Sequence, residues 1–592
     1  MEEKYTWNFK DIYKDEKELE ENIKKVKAGI EKIVALKGKL HESSDNLYKL
    51  YLYEEETSNL ISTAYGYAYL KYSQNMADEK NIKILKKIED LYTDYSSAVS
   101  FIEPEICKID DEVLIKFIDE NDDLKVYERT LKQLMKDKKH ILSDDAEYVL
   151  SKFGNIFGSF SDIFDILNDV DFDFGEVTDL DGKKIKLTHG TYIRLLDSKD
   201  ESVRKEAFEK LYEVYKKYSK TLTKLYLTNV ERSEISAKLR NYLSCLEAAT
   251  DNDDSNVKVY DSLIKSVNEN LDKNYRYMKL KKKMLGKEKL HMYDVYVNPL
   301  DEEKTYIDYE EAKKQVLKAV EPLGKEYNDV VKTAMENRWI DVFETENKAS
   351  GGYSLGIYDR HPYILLNYVG DEDSVSTLAH ELGHTMHSYL SSKHQRYEYS
   401  EYTMLVAEVA STVNEILFAE YMIRNEKDDK KKAIIINSLI DRIRATLIRQ
   451  TMFAEFERDV HDVVNKGETL SSEQICDMYY KINQKYFGDD VISDDYIRYE
   501  WARIPHFYRN FYVYTYATGI SSAIAIASKI LSGESGYAEK YLNMLSQGGA
   551  KDSLDLLKSV GVDLETTKPV EDALNYYNEK IEQLEKLVEN SK

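Results

Sequence analysis

The chain has 592 residues, 42% of them hydrophobic and 33% charged, a balance that excludes a disordered chain and is long enough for more than one folding unit. A formal net charge of -25 sets an acidic surface against phosphate backbones, so nucleic acid is not expected as a partner. With only 6 prolines and 23 glycines there are few breakers, which favours long helices.

The opening segment, residues 1–7, is polar and acidic and lacks the pattern of a signal peptide. From about Glu16 to Gly154 apolar residues recur at three and four steps, which predicts helices. Residues 177–188 alternate around Asp181-Gly182 and read as a β-hairpin. A boundary is expected between Leu187 and Asp200, dividing an N-terminal helical region (1–195) from a second region (196–592) that holds the chemical motif of residues 377–387. A second helical tract runs from about Asp200 to Leu285. Residues 291–297 form a candidate short strand, and residues 353–357 and 363–368 are expected to pair across an Asp359-Arg360 bend. Asp371 to Ser376 supplies N-cap residues for the next helix. Helices follow at about Thr403 to Arg424, Lys430 to Val464, Ser471 to Tyr486 and Ile504 to Leu531. The expected fold class is mainly α, with a small β element beside the helix that carries His380.

The longest apolar stretch, around Ile520 to Leu531, is too short to span a bilayer, so no membrane association is expected. Cys107, Cys245 and Cys476 are odd in number and far apart. They imply no disulfide framework and point to a reducing, cytoplasmic compartment.

The chemical signal lies in residues 377–387, where His380, Glu381 and His384 read His-Glu-x-x-His. Imidazoles four positions apart share a helical face, so both can ligate one zinc ion, and the glutamate between them stands where it can take a proton from bound water. Short matches also occur on ordinary solvated helices. Here Leu378, Ala379 and Leu382 mark a buried face, and Gly383, at a cost of about 1 kcal/mol within a helix, points to a close backbone approach. A catalytic zinc needs a third protein ligand. Glu408 follows His384 after enough chain for a helix to turn and return antiparallel, and it is the expected ligand. Ser411 and Glu415 share its face and are placed to orient the ligands. His387 lies one turn beyond His384, too far along the helix to reach the same ion, and is expected to be structural or to orient a ligand.

Zinc held by His380, His384 and Glu408, one ion per chain, would leave a position for water, with Glu381 as general base. A second donor to the oxyanion is sought in residues 501–516, where His506 follows Pro505 and Tyr508, Tyr512 and Tyr516 are spaced by four. With 49 tyrosines in the chain, ordinary packing is the plainer reading of any one of them. The extended segment 363–368 offers an edge along which a peptide adds as a strand, and Gly351-Gly352 before Tyr353 lets a loop approach that peptide.

Residues 362–368, 377–388 and 407–412 together resemble oligoendopeptidase F, the bacterial branch of the thimet oligopeptidase family of zinc peptidases. Residues 504–508, residues 511–519 and the opening Trp7 to Tyr13 are similar to the same group, so the resemblance spans nearly the whole chain. It implies a large helical ellipsoid with a deep central channel and cytoplasmic cleavage of oligopeptides. It places His380, His384 and Glu408 as metal ligands, Glu381 as catalytic base and His506 as a substrate contact. Tyr512 matches a catalytic tyrosine, although mammalian relatives have Gly-Gly-Tyr where this chain has Asn510-Phe511-Tyr512. Tyr508, Gly352 and Tyr353 are the remaining candidates for substrate binding.

The resulting expectation is a zinc endopeptidase cutting internal bonds of short peptides. A carboxypeptidase on a similar scaffold would need a cation for the substrate's terminal carboxylate, with Arg503 and Arg509 as candidates. A non-catalytic helical peptide-binding protein would have no use for Glu381.

Overall fold

The structure, a computed structural model, describes residues 2–300 and 306–590. It is 72% helical with small sheets, a mainly α fold. Long helices begin at capping side chains. Asp15, Ser43, Asp78 and Asp200 each accept a backbone N–H from the first turn of the helix that follows. No helix of the described residues is long and apolar enough to cross a membrane. The three cysteines are free.

The chain divides into two compact units, each built from three segments. The first comprises Met1–Ile141, Lys304–Phe418 and Ile526–Val560. Its core gathers Leu47, Leu50, Ile61 and Tyr67 from the Ser44–Gln74 helix with Ile357, Tyr363 and Leu365. Fully burying each such side chain is worth about 1.5–3 kcal/mol. Trp7 ties the N-terminal segment to this core through its indole N–H, which donates to the Trp339 and Ile364 carbonyls at 3.1 and 2.9 Å.

The first unit also holds a three-stranded sheet. Tyr363–Leu365 is its middle strand, parallel to Ile340–Asp341 and antiparallel to Tyr353–Leu355. The pairing across the Asp359 bend is as expected, with Asp359 at φ +58°. The expected substrate edge is corrected, however: both sides of residues 363–365 are taken, and the outer strand beside the His380 helix is Tyr353–Leu355. Ile340–Asp341 leaves no signal in the sequence, because two residues are too few to show a period.

The second unit comprises Leu142–Glu303, Ala419–Ala525 and Gly561–Lys592. Its Glu201–Leu239 helix buries Phe208, Leu211, Tyr215, Leu222, Tyr226 and Val230. The hairpin is present, with Val177 opposite Ile185 and Gly182 in the turn at φ +77°. The strand expected over 291–297 is only Leu290–His291. Asp294 draws the chain into a 3-10 turn, accepting from Arg204 at 2.5 Å, Lys287 at 2.7 Å and the His291 N–H at 3.0 Å.

Two expected helices are also corrected. Lys430 to Val464 is Asp429–Ile443 and Arg449–Asn465 joined by a π-helical segment. Ile504 to Leu531 is not one helix: Pro505–Tyr508 is a 3-10 turn, Phe511 takes φ +55°, and the α-helix begins only at Tyr514.

Candidate metal centre

Two helices build the centre, and the parts of them that carry it lie in the first unit. Glu372–His394 begins at Asp371, whose carboxylate accepts the Ser374 N–H at 2.8 Å, and it carries His380, Glu381 and His384. Met404–Asn425 carries Glu408 and Glu415. The helices meet at Gly383, where a β-carbon would stand 2.5 Å from Ser411 Cα. Asn414 adds a polar tie that the sequence did not suggest. Its amide donates to the Ala379 carbonyl at 3.1 Å, and its oxygen accepts from the Tyr327 hydroxyl at 2.9 Å.

This contact brings His380, His384 and Glu408 together, with one donor atom from each lying within 4.8 Å of the others. The two Nε2 atoms are 3.1 Å apart, and Glu408 Oε2 is 3.8 Å from His380 Nε2. On its other side His380 holds Glu415, Nδ1 to Oε1 at 2.7 Å, which fixes the ring and leaves Nε2 for a metal. His384 is hydrogen-bonded to the Ala407 backbone. Ser411 binds its own helix, donating to the Glu408 carbonyl at 3.0 Å, so its contribution is the backbone approach to Gly383 rather than a bond to a ligand.

Electrostatics agree with a cation site. Burial, aided by His380, holds His384 down to about 3, so its imidazole is neutral and able to ligate. Burial opposes charge on His380, but Glu415, Glu381 and Glu408 together outweigh it and raise its pKa. Glu381 is buried, and its Oε2 has no hydrogen-bond partner. Burial, with Glu408 and Glu415 adding and His380 opposing, pushes it up to about 7. Two converging imidazole nitrogens, one carboxylate oxygen and a free acidic group beside them fit a catalytic zinc ion.

His387 lies outside the ligand set, stacked on Tyr402 with ring centroids 3.5 Å apart. Gly352 lies beside the acid: a β-carbon there would be 3.2 Å from Thr377 Cγ2 and 3.6 Å from Glu381 Oε1. The Tyr353 ring packs on Tyr69 at 5.7 Å, which leaves its backbone for the strand.

In the second unit His506, Tyr512 and Tyr516 form a group of their own. The Tyr516 hydroxyl is 3.5 Å from His506 Nε2, and the Tyr512 ring is 6.1 Å from His506 and 5.2 Å from Tyr516. Tyr508 is not among them. It stacks on Phe164 at 4.6 Å, because the bend at Phe511 breaks the four-residue stripe. Arg503 faces the Tyr192 ring and the Tyr212 hydroxyl, and Arg509 covers the Tyr512 ring at 3.9 Å. A second set of potential metal donors in this unit, Glu234, Cys245 and His461, is wholly buried; the Glu234 carboxylate accepts from the Cys245 backbone N–H at 3.1 Å and lies 2.7 Å from His461 Nδ1.

Comparison with known proteins agrees with this reading. The signature of Peptidase family M3 matches residues 194–576, and that of Oligopeptidase F matches residues 105–174. Oligopeptidase PepF of Bacillus subtilis is 38% identical over 583 residues, covering 98% of this chain and 87% of its own length. The oligoendopeptidase F homolog of Lactococcus lactis is 38% identical over 588 residues, covering 99% of this chain and 98% of its own. The crystal structure of oligoendopeptidase-F from Enterococcus faecium superposes with a TM-score of 0.74 at 33% identity, covering 97% and 99% of the two chains. Sequence, fold and metal centre converge: the chain belongs to peptidase family M3, as a metallopeptidase of the oligoendopeptidase F group.

Proposed function

We propose that the chain hydrolyses internal bonds of oligopeptides with one zinc ion held by His380, His384 and Glu408, and with Glu381 as general base. The observation that carries this reading is the buried, unpartnered Oε2 of Glu381, one residue from the first of three donors that converge within 4.8 Å. Zinc held there by His380, His384 and Glu408 would supply Lewis-acid chemistry, lowering the pKa of a water and polarising the substrate carbonyl. Glu381 takes the proton at its free carboxylate oxygen and returns it to the departing amine nitrogen. Glu415, through His380 Nδ1, keeps the imidazole oriented throughout.

The substrate backbone is assigned to the outer strand Tyr353–Leu355, where its own peptide groups bind sequence-tolerantly and Gly352 leaves room beside Glu381. His506 and Tyr512 are assigned contacts to the substrate and its transition state. Support comes from their mutual packing and from burial, which with Arg509 and Arg449 holds His506 below its ordinary pKa. Tyr508, stacked on Phe164, is assigned support of that segment. Residues 196–592 are the proposed catalytic region, in keeping with the family match from residue 194. The free cysteines fit a cytoplasmic location.

A peptide blocked at both ends tests the assignment. Cleavage between internal residues, abolished by a chelator and restored by zinc, is expected. Cleavage only of peptides with a free carboxylate would favour the carboxypeptidase reading, against which Arg503 is already engaged with Tyr192 and Tyr212.

A further inference from the structure

Six non-glycine residues among those described have positive φ, and four of them are Asn or Asp, whose side chains tolerate it. Phe511, at φ +55°, is aromatic and 1% exposed. A bulky residue persists there only when its surroundings hold it, and they do so from several sides. Its N–H donates to Glu457 Oε1 at 2.7 Å. Its ring lies 4.5 Å from that of His461, which Glu234 fixes at 2.7 Å, and edge-on to Tyr260 at 5.6 Å. The preceding Asn510 donates to Ser233 Oγ at 2.7 Å. Glu457 is fully buried with no hydrogen-bond partner on Oε2, and burial pushes its carboxyl up to about 8, so it serves Phe511 as a neutral acceptor.

The bend has a geometric consequence. In a continuous helix, residues 506 and 516 would be about 15 Å apart along the axis. Here the His506 and Tyr516 rings are 5.9 Å apart, and Tyr512 packs against both.

We propose that Glu457 is a positioning residue: by accepting the Phe511 N–H it holds the left-handed bend that folds Tyr512 and Tyr516 back onto His506. The inference rests on the reading of His506 and Tyr512 as substrate contacts.

The test compares Glu457→Leu, which removes the acceptor, with Glu457→Gln, which keeps one. The measurements are kinetics on a blocked fluorogenic peptide, zinc content, and amide exchange of residues 509–513. Glu457→Leu is expected to lower kcat by about tenfold to a hundredfold, as misplacement of a transition-state contact does, with zinc content kept and KM within about twofold. Exchange of the Phe511 amide should accelerate. Glu457→Gln should keep both kcat and protection near the wild-type level. In a Tyr512→Phe background, Glu457→Leu should add little further loss, because it acts by placing the Tyr512 hydroxyl, which that background lacks. The inference is overturned if Glu457→Leu leaves kcat and protection unchanged, if Glu457→Gln loses as much, or if the loss is undiminished in the Tyr512→Phe background. Should Glu457→Leu fail to fold, Glu457→Met, which also lacks the acceptor but keeps the length of the side chain, replaces it, with the same outcomes expected. A wild-type protein that cuts no peptide would sink the peptidase reading, while the exchange measurement would still decide whether Glu457 holds the bend.

Discussion

Gly383 of the Glu372–His394 helix packs directly on the backbone of Ser411 in the Met404–Asn425 helix. A β-carbon on Gly383 would lie 2.5 Å from Ser411 Cα, 2.6 Å from Ala410 O and 2.8 Å from Ser411 N. All three obstacles are backbone, so no rotamer change can make room. In an isolated helix Gly383→Ala would gain about 1 kcal/mol. Here overpacking of about 1–3 kcal/mol or more should outweigh that gain and force the helices apart. The expected result is a lower melting temperature together with weaker zinc retention against a chelator. Full zinc affinity in this variant would show that the close approach does not set the metal geometry.

Glu415 gives a narrower test, because its carboxylate lies 2.7 Å from His380 Nδ1, on the side of the ring away from Nε2. Glu415→Gln preserves size while removing the charge that favours a ligating ring. Metal affinity should fall by about 10- to 100-fold, as is usual for the loss of such a partner. Competition with a graded series of chelators measures it. An affinity equal to the wild type would assign Glu415 to stability alone.

Replacement of the base separates chemistry from metal binding. Glu381→Gln leaves His380, His384 and Glu408 in place, so one zinc per chain should remain. The proton acceptor is gone, and kcat should fall by at least about 10²- to 10⁴-fold. Zinc content and turnover need to be measured on the same preparation. Wild-type turnover with full zinc would reject Glu381 as the base.

The metal centre was readable from sequence because its geometry is local. Two histidines four apart on a helix, a cap at Asp371 and a glycine where helix propensity disfavours one all follow from helical periodicity. Glu408 was within reach because one turn and one returning helix suffice to deliver it. The segment after Ile504 was misread for the opposite reason. Aromatic residues continue there at helical spacing, and the break at Phe511 is imposed by Glu457, more than fifty positions earlier in the chain. The strand pairing at Tyr363 was read only on one side, because Ile340–Asp341 is too short to carry a pattern and is held by its parallel partner. Asn414 gave no sign of its role, since a bond to the Ala379 carbonyl depends on the meeting of two helices.

Burial of Glu457 also predicts a pH-dependent stability. Tyr226, Tyr260 and Cys245 feel the charge of Glu457 and are held neutral near pH 7 by burial, and among the described residues only the Phe511 N–H opposes the effect of burial on its carboxyl. Its folded value of about 8 lies above the ordinary 4.5. Between those values the folded state keeps a proton that the unfolded state has lost, so stability falls as pH rises, by roughly 1.4 kcal/mol per pH unit at most. Glu457→Gln removes this titration while keeping an acceptor for Phe511. The difference in melting temperature between variant and wild type should therefore shift in favour of the variant from about pH 5 to pH 8 and level off above that. A difference that stays constant across the range would mean that water or a cation reaches the carboxylate and that its burial carries no electrostatic cost.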